Sequence, residues 1–539
     1  MGKKKLLDCT LRDGGYVNDW EFGHNNLVSI FERLVDSKVD IIEVGFLDDR
    51  RPYDYNRSIM PDTEAIGKNF GEITKRPPMV VGMIDFGTCA IENLQPCEES
   101  FLDGIRVIFK KQKMHAAMEY CAQVKALGYK VFSQLVSITS YSDQDLMQII
   151  ELVNQVEPYA VSMVDTYGLL DSTKMLHYYE LLDQYVKPGI QIGFHPHNNF
   201  QLAYANAVAF LNKPTERDIL VDGTLFGMGK SAGNAPLELI SMYMREQYGL
   251  DYDTRPMLEA IEESIKPFYT KTPWGYKTFF YLCASNECHP SYVEFFQKKG
   301  NLSVSKLDEL LARIEPEEKK LLYDKELAEK IYQEFISEQL PEAEEYQRLS
   351  REFSGKELLL IGPGRNIQLQ LEKVKKYIEK KRPFVVSVNY IPKDITVDYV
   401  FVTKGNRYQE MTTALHNQPI KIIATSNLTC KNGKFDFMVN REPLLEQKEE
   451  IKDNSFLMLL KVLKKCGITR LACAGFDGYS DKEDNYFLPG MEYSFVKQAA
   501  DHLNHHIKSV LTSEYGDMDI EYITFSRYDV EEDVNSAAF

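Results

Sequence analysis

Eight short apolar runs, each followed by an amphipathic stretch, occupy the first part of this 539-residue chain. They read KLLDCTL (5–11), VDIIEVGF (39–46), MVVGMI (79–84), GIRVIF (104–109), KVFSQLV (130–136), AVSMVDT (160–166), QIGFHPH (191–197) and ILVDGTLFG (219–227). Each is rich in β-branched or large apolar residues, the composition of strands buried on both faces. The stretches between them, such as NNLVSIFERLVDS and MHAAMEYCAQVKALG, repeat with helical period, and the second ends at Gly128, a helix stop. Strand–helix alternation eight times over roughly 250 residues fits a closed (β/α)8 TIM barrel. An open doubly wound sheet is the alternative. The positions of polar residues favour the barrel. Asp13, Glu43, Asp85, Gln134, Asp165, His195, His197 and Thr224 fall at or near strand C-terminal ends, which in a barrel converge on one mouth.

The barrel is expected over residues 1–250. Residues 251–350 read as a helical extension, through MLEAIEESIKPFY, KLDELLARI and KELAEKIYQEFISEQL. Strand-like runs resume at ELLLIGPG (357–364) and continue with FVVSVNY (384–390), DYVFVT (398–403), IKIIATSN (420–427), RLACAGFDG (470–478) and DIEYITF (519–525). These predict a second, Rossmann-like α/β domain over 355–539.

The formal net charge of −17 argues against nucleic acid or an anionic membrane as partner. Nine cysteines without a C-x-x-C pair indicate neither a disulfide framework nor a zinc ribbon. The N-terminus lacks the apolar core of a signal peptide, and no run approaches the ~20 apolar residues of a membrane span. A cytoplasmic location is expected.

His195 and His197 stand two residues apart, so on a strand both imidazoles share one face. DCTLRDGG (8–15) brings Arg12 and Asp13 to the mouth from the first strand, and GMGKSAGN (227–234) brings Asn234 from beyond the eighth. One carboxylate, two imidazoles and an amide oxygen form a mixed set that suits Mn²⁺ or Mg²⁺ with open positions better than a closed zinc site. Arg12 could hold a substrate anion or a developing enolate oxygen. Glu43 could brace Arg12 or take a catalytic part, and Gln134 and Asp165 are candidates for substrate contact.

TLRDG on the first strand, Glu43-x-Gly45 on the second, His195-x-His197 on the seventh and G-x-G-x-x-A-G-N on the eighth resemble the HMG-CoA lyase-like, or DRE-TIM, metal-dependent barrels. That superfamily contains 4-hydroxy-2-oxovalerate aldolase, HMG-CoA lyase, isopropylmalate synthase and homocitrate synthase. The similarity is greatest to the 4-hydroxy-2-oxovalerate aldolases, whose post-barrel helices PWGYKTFFYLCASNECHPSYVEFF (273–296) resembles. The resemblance implies Asp13, His195 and His197 as metal ligands, with Asn234 a further ligand or near neighbour, and Arg12 stabilising a pyruvate enolate. The implied activity is a class II type aldolase acting on a 2-oxo acid and an aldehyde, in a homo-oligomer. The alternative within the superfamily is a Claisen-type synthase condensing an acyl-CoA with a 2-oxo acid. The sequence departs at Tyr16, where the aldolases carry a histidine that acts as base. Tyr16, a metal-bound water or another residue could take that role.

In the second domain, LLIGPGRNI turns from strand to helix through Gly362 and Gly364. Asn389 and Asp477 also end strands there, where open α/β sheets bind ligands. Together these residues are candidates for a nucleotide or nucleotide-sugar site, with a plain tight turn at Gly362 and Gly364 as the alternative. This leaves a bifunctional protein whose main activity is nucleotide-sugar transfer as a further alternative. An aldolase joined to such a domain would suit sugar-acid or surface-glycan synthesis.

Overall fold

The computed structural model describes residues 2–299, 302–339, 341–430, 435–487 and 496–529. The chain forms two units, Met1–Pro290 with Glu317–Tyr323, and Ser291–Pro316 with Asp324–Phe539. The helices of 251–350 are thus shared between the units, and the final domain, expected to reach residue 539, is described to Asp529.

The first unit contains β1 (Lys4–Asp8), β2 (Ile41–Leu47), β3 (Ile59–Met60), β4 (Met79–Asp85), β5 (Gly104–Phe109), β6 (Lys130–Leu135), β7 (Ala160–Asp165), β8 (Gln191–Pro196) and β9 (Ile219–Gly223). All pair in parallel, in the order β1-β9-β8-β7-β6-β5-β4-β2, and β1 also pairs with β2, which closes an eight-stranded barrel. The two-residue β3 only extends the upper end of β2. Period-two alternation divides each strand between barrel interior and helix layer. Outward residues such as Leu6, Ile42, Val80, Ile105 and Val161 join the helices in one large core. Inward residues Leu7, Ile41, Val81, Phe132, Ala160 and Leu220 form a separate apolar plug. One step further along the same strands the interior turns polar, with Glu43, Arg106, Gln134, Ser162 and Asp222 all fully buried. The apolar plug closes one end and leaves the other for chemistry.

The second unit holds a seven-stranded parallel sheet. Its strands are β10 (Leu358–Ile361), β11 (Phe384–Val388), β12 (Tyr399–Val402), β13 (Lys421–Thr425), β14 (Phe437–Val439), β15 (Arg470–Ala474) and β16 (Asp519–Tyr522), in the order β14-β13-β12-β11-β10-β15-β16. In β10, Leu358 and Leu360 belong to one core and Leu359 and Ile361 to the other, so helices cover both faces. Such burial explains the uninterrupted apolar run in the sequence. The strand order reverses between β10 and β15, the topological switch of a doubly wound sheet. The three-residue edge strand β14 had no counterpart in the sequence reading, being too short to show a pattern.

Candidate metal centre and active site

At the C-terminal mouth of the barrel, Asp13, His195 and His197 present one ligand atom each, all within 4.8 Å of one another. His195 Nε2 lies 3.1 Å from His197 Nε2 and 3.3 Å from Asp13 Oδ2, and His197 Nε2 lies 3.7 Å from that oxygen. All three residues are buried. Asp13 sits on a helical turn, Thr10–Asp13, just after β1, while His195 lies within β8 on its inward face and His197 directly follows the strand. An isolated antiparallel bridge ties His197 to Asn234, and Asn234 Oδ1 is buried without a hydrogen-bond partner among the described residues. Gly229 is what lets these groups crowd together. A Cβ there would lie 2.2 Å from Asn234 Nδ2 and 2.7 Å from Asp13 Oδ1. A carboxylate, two imidazoles and an orphaned amide oxygen fit a divalent cation with mixed oxygen and nitrogen ligands.

A buried chain of alternating charge supports the cluster. Asp13 is paired with Arg12, whose Nε donates to Glu43 Oε2 at 2.7 Å. The same oxygen accepts from Arg106 Nη1 at 3.1 Å, and Arg106 also pairs with Asp222. Asp222 Oδ2 lies 2.9 Å from His195 Nδ1, which fixes that ring so that Nε2 faces the cluster. Burial opposes charge on Asp13, but Arg12 and the two imidazoles outweigh it and hold the carboxyl well below its usual range. His195 is likewise disfavoured as a cation by burial, yet Asp13 and Asp222 push its pKa upward. His197, with less compensation, is lowered by burial.

A cavity of about 570 Å³ opens over the cluster and is lined by Arg12, Asp13, Tyr16, Gln134, His195 and His197 among others. Of the residues expected to touch substrate, Gln134 reaches its wall with both polar ends engaged, by Arg106 and Ser162 at 3.0 Å each. Asp165 does not line it. Its parity on β7 is that of the outward residues Val161 and Met163, and its oxygens accept from the backbone N–H groups of Leu169 and Leu170 at 2.8 and 3.2 Å. It shapes the loop whose neighbours Val164 and Thr166 do face the cavity. Glu43 lies beneath the cavity as a brace for two arginines. Tyr16 is 42% exposed, and its phenol is pushed upward, first by the protein packed around it and then by Asp13.

Three contributors had no role in the sequence reading. Arg106 and Asp222 sit inside the apolar-looking runs GIRVIF and ILVDG, and an interior charge in a barrel strand was their only signal. His289 enters the cavity from the segment after the barrel, and burial, with Lys230 and Lys110, pushes its imidazole down to about 4.

In the second unit, Gly364, Asn389 and Asp477 line a cavity of about 180 Å³ at the strand C-terminal ends, while Gly362 lies outside it. Asp477 Oδ2 accepts from the backbone N–H of Asn366 at 2.7 Å, which pins the turn after β10. Asn389 is held by Thr403 and Ser455.

A closed parallel barrel with a carboxylate and two imidazoles at its C-terminal mouth defines the class of (β/α)8 enzymes built around a metal. Residues 98–263 match the sequence model of the HMGL-like family, so this stretch of the barrel is similar to an HMGL-like domain. The 4-hydroxy-2-oxovalerate aldolase of Bacillus cereus is 26% identical over 266 residues, 49% of this chain and 76% of that protein. The enzyme of that name from Geobacillus thermodenitrificans is 25% identical over 265 residues, 49% of this chain and 75% of that protein. The crystal structure of the HMG-CoA lyase of Bacillus subtilis superposes with a TM-score of 0.39 at 17% identity, over 51% of this chain and 94% of that one. Among the described residues no helix is long and apolar enough to cross a membrane.

Proposed function

We propose that the barrel is a divalent-metal-dependent aldolase that makes or cleaves a 4-hydroxy-2-oxo acid through a pyruvate enolate. The observation that carries this reading is the Asp13–His195–His197 cluster, with the unpartnered Asn234 oxygen beside it and Arg12 against it. These residues would hold Mn²⁺ or Mg²⁺, and the chemistry such an ion supplies when bound is Lewis-acid polarisation of the 2-oxo group.

The protein's own groups then divide the work. Among the described residues Arg12 engages Asp13 and Glu43 through Nε and one Nη, so N–H groups remain to bind the substrate oxygen that turns negative as the C3–C4 bond breaks. Its buried salt bridges fix the guanidinium, so the donors are in place before charge develops. In cleavage the 4-hydroxyl gives up its proton, the C3–C4 electron pair moves into the enolate, and an aldehyde leaves. Protonation at C3 then yields pyruvate. Two side chains in the cavity suit the proton transfers. His289 stays neutral near pH 7 and can accept a proton, whereas Tyr16, with its raised phenol pKa, suits hydrogen-bond donation.

Exchange of the pyruvate methyl protons into D₂O, followed by NMR with Mn²⁺ or Mg²⁺, tests the reading. The wild type should exchange, and Arg12→Ala should lose 10²-fold or more of the rate. Absence of metal-dependent exchange in the wild type would overturn the assignment.

A further inference from the structure

The cavity over the metal cluster also carries amino groups that the chemistry above does not use. Lys110, Lys111, Lys230 and Lys320 all line the cavity. Lys111 is engaged, donating to the Ser140 carbonyl at 2.6 Å and to Asp145 at 3.1 Å. Among the described residues, no carboxylate lies within 4 Å of the Nζ of Lys110, Lys230 or Lys320. Lys230 is the best placed of the three. Its backbone N–H donates to Asp13 Oδ1 at 3.0 Å, which ties its position to the metal carboxylate. Its ammonium lies 5.3 Å from the ring centroid of Tyr16 and 5.9 Å from that of Tyr167, and both rings line the cavity. Aromatic faces orient a cation without neutralising it, so the charge stays available to a ligand.

Asp13 and Asp85 both act on Lys230 and offset part of this field. Asp13 is paired with Arg12, and Asp85 and Glu287 are exposed at the rim. Free cations inside a cleft of a chain with net charge −17 also require a reason, since the rest of the surface repels anions. With Arg12 and the metal cluster assigned to the 2-oxo acid end in the reading above, the Lys230 and Lys110 amino groups remain for the other carbon chain. We propose that the aldehyde partner carries an anionic group, a phosphate or a carboxylate, and that Lys230, with Lys110, binds it. The proposal rests on the aldolase reading and names the substrate class that reading leaves open.

The test uses the full-length protein with Mn²⁺, pyruvate and aldehydes of similar length. Butyraldehyde is the neutral probe, succinic semialdehyde the carboxylate and glyceraldehyde 3-phosphate the phosphate. In the wild type, kcat/KM for one of the anionic probes should exceed that for butyraldehyde by 10²-fold or more, and which one identifies the group. Lys230→Met, which keeps the bulk and removes the charge, should lower that ratio at least tenfold, and Lys110→Met should lower it less. Lys230→Arg should recover most of it, which separates charge from folding. A wild type that prefers butyraldehyde overturns the proposal, as does a Lys230→Met variant that slows all three aldehydes equally. Should the wild type fail to exchange pyruvate protons, the aldolase reading falls on its own. Calorimetric titration with inorganic phosphate and with succinate then decides the anion site, and equal or absent binding in wild type and Lys230→Met overturns it.

Discussion

Asp222 holds His195 at 2.9 Å while pairing with Arg106, so one carboxylate both orients the imidazole proposed as a metal ligand and anchors a buried arginine. Asp222→Asn keeps the shape and removes the charge. It should weaken Mn²⁺ binding by about 10–100-fold, as measured by calorimetry, the usual effect of losing a carboxylate behind a histidine ligand. Protons compete with the ion for the two imidazoles, so affinity should fall as pH falls through the histidine range. His289 lines the cavity from beyond the barrel. Its imidazole, pushed down to about 4, is neutral where the enzyme would work. His289→Asn should lower kcat by about 10²-fold or more, within the span of general base catalysis, with Tyr16→Phe costing less. Equal losses in the two variants would sink that division of roles.

At the scale of single elements, the helix Val304–Ala312 contains a buried cation. Lys306 is 7% exposed and donates to the Ser426 carbonyl at 2.5 Å, and burial pushes its ammonium pKa down to about 8. Below pH 8 the folded protein carries that charge at a cost. Between about pH 8 and the ordinary lysine value, the unfolded chain holds a proton that the folded chain releases, so stability rises with pH. Lys306→Met should therefore stabilise the second unit by about 2 kcal/mol at pH 7, the desolvation cost less one hydrogen bond, with the gain fading towards pH 10. Denaturant melts at the two pH values check the sign. Apart from the short strands β3 and β14, the strands of both sheets were legible from their apolar runs to within a few residues. Asp165 was not, because a run of residues does not state which parity faces inward. The strand's pairing in the closed barrel turned Asp165 outward and Val164 inward.

For the whole molecule, the short segment Glu317–Tyr323 folds with the barrel although the chain on either side belongs to the other unit. Leu321 packs against the cluster of Tyr167, Leu169 and Ala284, and Lys320 to Leu322 line the cavity. A fragment of residues 1–290 lacks this wall. It should keep Mn²⁺ affinity within a few fold, because the ligand cluster lies wholly in the barrel, yet its KM for the aldehyde should rise about tenfold. Mn²⁺ should also raise the melting temperature of the intact protein and EDTA should reverse the effect, since the ion binds only the folded cluster.

The sequence alone determined most strands of the two parallel sheets, because buried strands must be written as apolar runs at the spacing that crossover helices allow. It also placed Arg12, Asp13, His195 and His197 at one mouth, because each motif ends a strand and all barrel strands end together. The tertiary structure decided what surrounds them. Arg106 and Asp222 become parts of the site only when strands distant in sequence close into a ring. His289 and Lys320 reach the cavity only because residues after the barrel fold back on it. The proposed anion-binding wall rests on lysines that, among the described residues, have no carboxylate within 4 Å, a property of distances that no sequence pattern records.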